Sequence, residues 1–214
     1  MKLYCVYSQQ FTPLYSRFFE ASLRTVSPEV EIIPDVFEVE GTGNFRSPGF
    51  NQALIYKWKR GLEALYENRD QFILFTDVDI VFNKPLLPAL LEYTSNTDIV
   101  VTPEAQHVQI WGANVGVLLL RSGVLVRQLI SRILDEMLLR GYSDQPVFNA
   151  FLPQAGPNYK VLPVTFANGK IPYDRDSVLY HATYTLPEQS RSSLEMKMEA
   201  LTKAEAFFAS YRGK

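Results

Sequence analysis

Asp77 and Asp79 close an apolar run of strand length, Gln71-Phe72-Ile73-Leu74-Phe75-Thr76, and a second run, Ile80-Val81-Phe82, follows at once. In an extended chain alternate side chains share a face, so carboxylates one residue apart point the same way. They repel unless a cation lies between them, and charges wedged between buried apolar stretches are costly unless paired or liganded. Carboxylate oxygens suit a hard divalent ion, Mg²⁺ or Mn²⁺, of the kind commonly shared with substrate phosphates. The pair predicts a divalent ion holding a diphosphate at the carboxyl end of a strand, where open α/β sheets bind ligands. The alternative is a strand that simply ends at a solvated turn.

A divalent ion rarely rests on two carboxylates alone. The chain has two histidines, His107 and His181. His181 follows the strand-like Ser177-Val178-Leu179-Tyr180, and Mn²⁺ accepts imidazole beside oxygen, so His181 is a candidate third ligand. A surface or hydrogen-bonded histidine is the competing account. Asn114-Val115-Gly116 leads into an apolar run to Leu120. There Asn114 could orient sugar hydroxyls and Gly116 could let a ligand approach the backbone; otherwise the segment is a turn feeding a core strand. Ser143-Asp144-Gln145-Pro146 puts an acid in the first turn of a helix, either as a cap or as a carboxylate facing a sugar. Trp111, beside Gly112, is either a stacking wall for a pyranose or a core residue. The glycine-rich stretch Gly41–Gly49 has the composition of a lid over a ligand or of a plain surface loop.

These residues need a scaffold. Strand-like segments at Leu3–Ser8, Val30–Val39 (broken by Pro34), Phe72–Asp77, Ile99–Thr102, Val115–Leu120, Tyr159–Pro163 and Val178–Tyr180 alternate with helical patterns. The helices are predicted at Thr12–Val26, Asn51–Tyr66, Pro85–Tyr93, Ser122–Leu139 (capped by Ser122), Ser143–Phe151 and Pro187–Tyr211. Glu40–Gly49 reads as a loop. Leu194, Met198, Leu201, Ala204, Phe208 and Tyr211 line one side of the last helix, a docking stripe. The alternation predicts an α/β domain with a mostly parallel central sheet flanked by helices. No internal repeat or linker divides the 214 residues, so they are expected to form one domain, with 186–214 docking on it or leading to a further one.

Composition narrows the functions. A hydrophobic content of 47% and a charged content of 21% are those of an ordinary globular protein. A formal net charge of −2 argues against a nucleic-acid partner. The single cysteine, Cys5, excludes an internal disulfide and sits in the first apolar strand as a small core residue. No apolar run reaches membrane-spanning length, and the first residues lack the pattern of a secretory signal. A complete chain of this kind would work in the cytoplasm, or in a host cytoplasm if virus-encoded; an excised domain could carry its anchor elsewhere.

Taken in order, Val6-Tyr7-Ser8, Lys57, Leu74-Phe75-Thr76-Asp77-Val78-Asp79, Asn114-Val115-Gly116-Val117, Asp144-Gln145-Pro146-Val147-Phe148-Asn149 and His181 resemble the GT-A glycosyltransferases, in particular the nucleotide-diphospho-sugar transferases with a D-x-D motif. The resemblance spans about residues 2–184. In size the chain looks like a bacterial enzyme or a chlorovirus-encoded capsid-glycosylating domain. The resemblance implies a Rossmann-like domain, a UDP-sugar donor and a glycan or other hydroxyl acceptor. Asp77, Asp79 and His181 would hold Mn²⁺ or Mg²⁺. Tyr7 and Ser8 would lie by the uracil, with Lys57, Asp77, Val78, Asp79 and Trp111 also around the donor, and Asn114 and Asp144 would face the transferred hexose or deoxyhexose. One departure stands out: relatives often have a Gly and a diphosphate-touching Lys soon after the His, whereas here Ala182-Thr183-Tyr184-Thr185-Leu186 follows. Charge compensation is then expected from the metal and from Lys57, Arg46 or Lys170.

An inverting transfer needs a carboxylate base, for which Asp144 comes first, then Glu104, Asp174 and Asp176. In a retaining transfer Asp144 would bind donor hydroxyls instead. Two other classes compete. Asp77-Val78-Asp79-Ile80-Val81 also matches the first motif of haloacid-dehalogenase-like phosphatases, but two βα units precede it and no downstream acidic cluster follows. A non-catalytic sugar-nucleotide-binding module would keep the pocket without turnover; the intact set of Asp77, Asp79, Asp144 and His181 speaks against it.

Overall fold

The computed structural model describes residues 1–38, 48–104, 112–169, 173–183 and 192–212. Six strands form the main sheet: β1 (Lys2–Ser8), β2 (Glu31–Phe37), β3 (Phe72–Thr76), β5 (Ile99–Pro103), β6 (Ala113–Arg121) and β7 (Tyr159–Val161), in the order β2-β1-β3-β6-β5-β7. β1 runs parallel to β2 and β3, β5 runs parallel to β7, and only β6 is reversed, pairing antiparallel with β3 and β5. A second sheet, β4-β9-β8, joins β4 (Ile80–Phe82), β9 (Leu179–His181) and β8 (Ala167–Asn168). The mostly parallel α/β sheet expected from the alternation is therefore present.

Alternation along the strands splits the core in two. Leu3, Cys5 and Tyr7 of β1 and Leu74 of β3 pack on one face. Tyr4 and Val6, with Ile73 and Phe75, pack on the other. The first face is covered by the helical segment from α1 (Thr12–Leu14) through a π turn (Tyr15–Glu20) to α2 (Ala21–Val26), by α4 (Leu86–Leu91), and by the C-terminal helix α7 (Ser193–Ala209). The second is covered by α3 (Pro48–Glu67), α5 (Val124–Arg140) and α6 (Asp144–Phe151). Trp58 and Leu65 of α3 are fully buried there, and α5 ends on Gly141 at φ 66°, a left-handed cap that glycine adopts without strain.

Several boundaries differ from expectation. Pro34 does not break its strand: β2 is an edge strand, where a missing N–H costs no ladder bond on the open side, and Pro34 stays in register with Cys5. Of the predicted loop Glu40–Gly49, residues 40–47 lie outside the described residues, while Pro48 and Gly49 already belong to α3. Ser122 is not the cap of α5; that position is Gly123, and the Ser122 hydroxyl donates to the Leu65 carbonyl. The last helix starts at Ser193 behind a capping box of Ser192 and Glu195, and residues 184–191 are outside the described set. β8 was not expected from the sequence, being too short to show a pattern.

Candidate active site

The D-x-D pair sits where β3 ends. Asp77 follows the last residue of β3, and its backbone N–H donates to the Gly116 carbonyl at 2.8 Å. Asp79 directly precedes β4. Because β4 pairs antiparallel with β9, Ile80 lies opposite His181. Two segments a hundred residues apart in sequence are thereby clamped side by side. His181 is the last residue of β9, within the strand rather than after it. Its Nε2 lies 3.2 Å from Asp79 Oδ1 and 3.7 Å from Asp77 Oδ2. Ligand atoms of Asp77, Asp79 and His181 all fall within 4.8 Å of one another. Two carboxylates and an imidazole at this spacing fit Mn²⁺, and with less preference Mg²⁺.

Asn114 and Gly116 reach the same place through a fault in β6. The β5–β6 register shifts between Val101 and Thr102, so that Val101 pairs with Leu118 but Thr102 with Asn114. Such an irregularity re-aims side chains. Here the Asn114 Oδ1 accepts from the Gly116 N–H at 2.8 Å and its Nδ2 donates to Glu104 Oε2 at 2.7 Å. A Cβ on Gly116 would stand 2.1 Å from His181 Cε1 and 2.9 Å from Asp77 Oδ2, so no larger residue fits beside the acidic pair. The role of Gly116 is thus to admit His181 and Asp77, rather than to form a turn.

Asp144 opens α6 and is buried, but its job exceeds capping. Its Oδ2 accepts from Trp58 Nε1 at 3.0 Å and lies 3.9 Å from Lys57 Nζ, while its Oδ1 accepts from the Gln145 N–H at 2.8 Å. Lys57 donates to Asp77 Oδ1 at 2.6 Å. Burial of Lys57 works against its charge, but Asp77 and Asp144 outweigh burial and leave its pKa above the ordinary value, so it is an ammonium. Burial likewise opposes ionisation of Asp79, yet Lys197 and His181 hold its carboxyl below its usual range. Lys197, on α7, donates to Asp79 Oδ2.

These groups border one cavity of about 540 Å³, lined among others by Tyr7, Ser8, Lys57, Asp77, Val78, Asp79, Asn114, Asp144 and Lys197. Its lining also includes the apolar side chains of Phe11, Phe37, Phe50 and Leu54. Tyr7 stacks on Tyr15 at 4.8 Å, and burial pushes its hydroxyl up to about 12, so it stays protonated. The Ser8 Oγ is buried and finds no hydrogen-bond partner among the described residues. An orphaned hydroxyl on a cavity wall fits a polar ligand there.

Nine of the ten site residues read from the sequence are therefore accounted for: Tyr7, Ser8, Lys57, Asp77, Val78, Asp79, Asn114, Asp144 and His181 come together. Trp111 is the tenth and lies outside the described residues, as do Arg46, His107 and Lys170. Glu104 joins the cavity, accepting also from Gln145 Nε2 at 2.8 Å. Asp174 and Asp176 do not line it: Asp176 pairs with Lys84 and donates its N–H to Asp174 Oδ1. Lys197, Gln145 and Trp58 were missed as site residues. Gln145 stood in the motif, and Trp58 stood on the core face of α3, one residue after Lys57. Lys197 carried no signal, since one lysine among the charges of a long helix looks like solvent-facing decoration.

A sheet of this order with the acidic pair at the end of β3 defines a GT-A glycosyltransferase domain. The sequence model of the nucleotide-diphospho-sugar transferase family matches residues 31–212, and the chain belongs to that family. Solved structures agree on the fold. A glycosyltransferase involved in glycosylation of the major capsid of PBCV-1 superposes with a TM-score of 0.61 at 13% identity, over 94% of this chain and 98% of that one. The glycosyltransferase GlyE of Streptococcus pneumoniae TIGR4 gives a TM-score of 0.60 at 13% identity, covering 98% of this chain but 63% of its own. The galactosyltransferase LgtC, in complex with donor and acceptor sugar analogs, gives 0.57 at 15% identity, over 95% and 96%. A sequence search of curated proteins returns no match. Among the described residues no helix is long and apolar enough to cross a membrane.

Proposed function

We propose that the chain is a metal-dependent glycosyltransferase that moves a hexose or deoxyhexose from a UDP-sugar to a hydroxyl of a glycan or other acceptor. The observation that carries this reading is the convergence of Asp77, Asp79 and His181 at the wall of a cavity that also holds Lys57, Asn114 and Asp144. Bound by the Asp–Asp–His set, Mn²⁺ or Mg²⁺ would supply Lewis-acid stabilisation of the charge that gathers on the leaving diphosphate. Everything else falls to the chain's own groups. Ser8 and the protonated Tyr7 hydroxyl offer hydrogen bonds where the uracil would lie, and Val78 lines the cavity between the carboxylates. Lys57, fixed between Asp77 and Asp144, holds both carboxylates in place.

Asn114, clamped by Gly116 and Glu104, presents a rigid amide where the transferred sugar would lie. Asp144 already carries Trp58 and the Gln145 N–H and has an ammonium close by. A carboxylate oriented by these donors keeps lone pairs free to accept from donor hydroxyls, which favours that role. That two neighbours in fold are a galactosyltransferase and a capsid-glycosylating enzyme supports a sugar-nucleotide donor. Family membership favours transfer over the phosphatase alternative.

The test is UDP release from a panel of UDP-hexoses and UDP-deoxyhexoses, with Mn²⁺ and with EDTA. Metal-dependent release on at least one donor is expected, and Asp144→Asn should cut kcat by about a hundredfold. Tight metal-dependent UDP binding with no release from any donor would instead leave a non-catalytic binding module.

A further inference from the structure

Every oxygen of the acidic pair already has a positive or polar neighbour. Asp77 Oδ1 takes Lys57, Asp77 Oδ2 and Asp79 Oδ1 face His181, and Asp79 Oδ2 takes Lys197. The two lysines differ in how they are held. Lys57 is buried, bonded to Asp77 and close to Asp144. The Lys197 side chain is 21% exposed at the cavity wall, and among the described residues its ammonium pairs with Asp79. Its helix is fixed independently: Leu201, Ala204 and Phe208 are buried in the core, and Ser192 and Glu195 cap the start. A four-carbon stem can swing its ammonium into the cavity without moving such a helix.

We propose that the Lys197 ammonium is a built-in counter-ion of this site, held on the Asp79 oxygen next to the one that faces His181, so that metal and Lys197 compete for the Asp79 carboxylate. The inference rests on the metal-site part of the proposed function. A dication placed beside Asp79 with Lys197 still attached would meet a like charge on the same carboxylate, a repulsion relieved when the ammonium leaves. The lysine thereby keeps a buried carboxylate compensated when no metal is present, which removes the cost of an unpaired buried charge. It also lowers the affinity of the site for metal alone.

Calorimetric titration of Mn²⁺ alone into the full chain tests this. Lys197→Met should bind Mn²⁺ about tenfold more tightly than wild type, whereas Lys197→Arg, which keeps the charge, should bind no more tightly than wild type. Linkage requires the reverse effect in the unaltered protein: saturating Mn²⁺ should speed acetylation of the Lys197 amine by acetic anhydride, read by peptide mass spectrometry. That second readout does not depend on a variant that folds. Lys197→Met binding Mn²⁺ equally or less well, or acetylation unchanged by Mn²⁺, would overturn the inference while UDP binding in Mn²⁺ left the transferase reading standing. Absence of Mn²⁺ binding to both wild type and Lys197→Met would overturn both.

Discussion

Gly116 has no side chain, and that vacancy lets His181 and Asp77 stand together. Gly116→Ala puts a Cβ 2.1 Å from His181 Cε1, and Gly116 and His181 both sit in paired strands, so the ring must be displaced. We expect Mn²⁺ affinity to fall by about 10- to 100-fold, measured by calorimetry, with the circular dichroism of the fold retained. Trp58 makes a second such point. Trp58→Phe keeps the aromatic packing on Phe75 and Phe148 but removes the donor to Asp144. A hydrogen bond to a charged group is worth about 1.5–3 kcal/mol, so kcat should fall by at least about tenfold in a UDP-release assay. At this scale the sequence was most readable where chemistry is concentrated in consecutive residues. Asp77 and Asp79 declare themselves because charges rarely interrupt an apolar run. Trp58 and Lys197 did not, because an amphipathic helix gives the same spacing whether a side chain on it packs, dissolves or reaches into a site.

Elements set which of those residues meet. The β4–β9 pair carries His181 to the D-x-D segment, and neither three-residue strand is long enough to announce its partner. The pairing depends on tertiary contacts that a local pattern does not contain. Helix α7 was legible in part: its stripe of Leu194, Met198, Leu201, Ala204 and Phe208 does pack against the core, whereas Tyr211 stays 46% exposed. Leu201→Ala should therefore destabilise the protein by about 2–5 kcal/mol in a denaturant titration, while Tyr211→Ala should change stability by less than about 0.5 kcal/mol. Equal effects of the two substitutions would mean that α7 is not docked as described. Pro34 illustrates the opposite error, a breaker that breaks nothing, because its strand is at the edge of the sheet and its open side needs no ladder bond.

Over the whole molecule, strand–helix alternation was enough to give the sheet and its class, because each buried strand needs helices on both faces. It did not give the reversal of β6, which turns on strand direction rather than on strand composition. That reversal matters, since it places the irregular end of β6, with Asn114 and Gly116, next to the end of β3. A ligand spanning the cavity would touch β1, the segment after β3, β6, α3, α6 and α7 at once, so binding should stabilise the fold as a unit. At a free UDP concentration about 100-fold above Kd, with Mn²⁺ present, the gain is about 2.7 kcal/mol, seen as a Tm raised by several degrees and lost on adding EDTA. The central claim is that Asp77, Asp79 and His181 form a metal-dependent site for a nucleoside diphosphate. Its most direct test is calorimetric titration of UDP into the purified protein, with Mn²⁺ and then with EDTA, for wild type and for Asp79→Ala. Binding by the wild type in Mn²⁺, abolished by EDTA and by the substitution, is the predicted result; no binding by the wild type in Mn²⁺, or equal binding in EDTA, would contradict it.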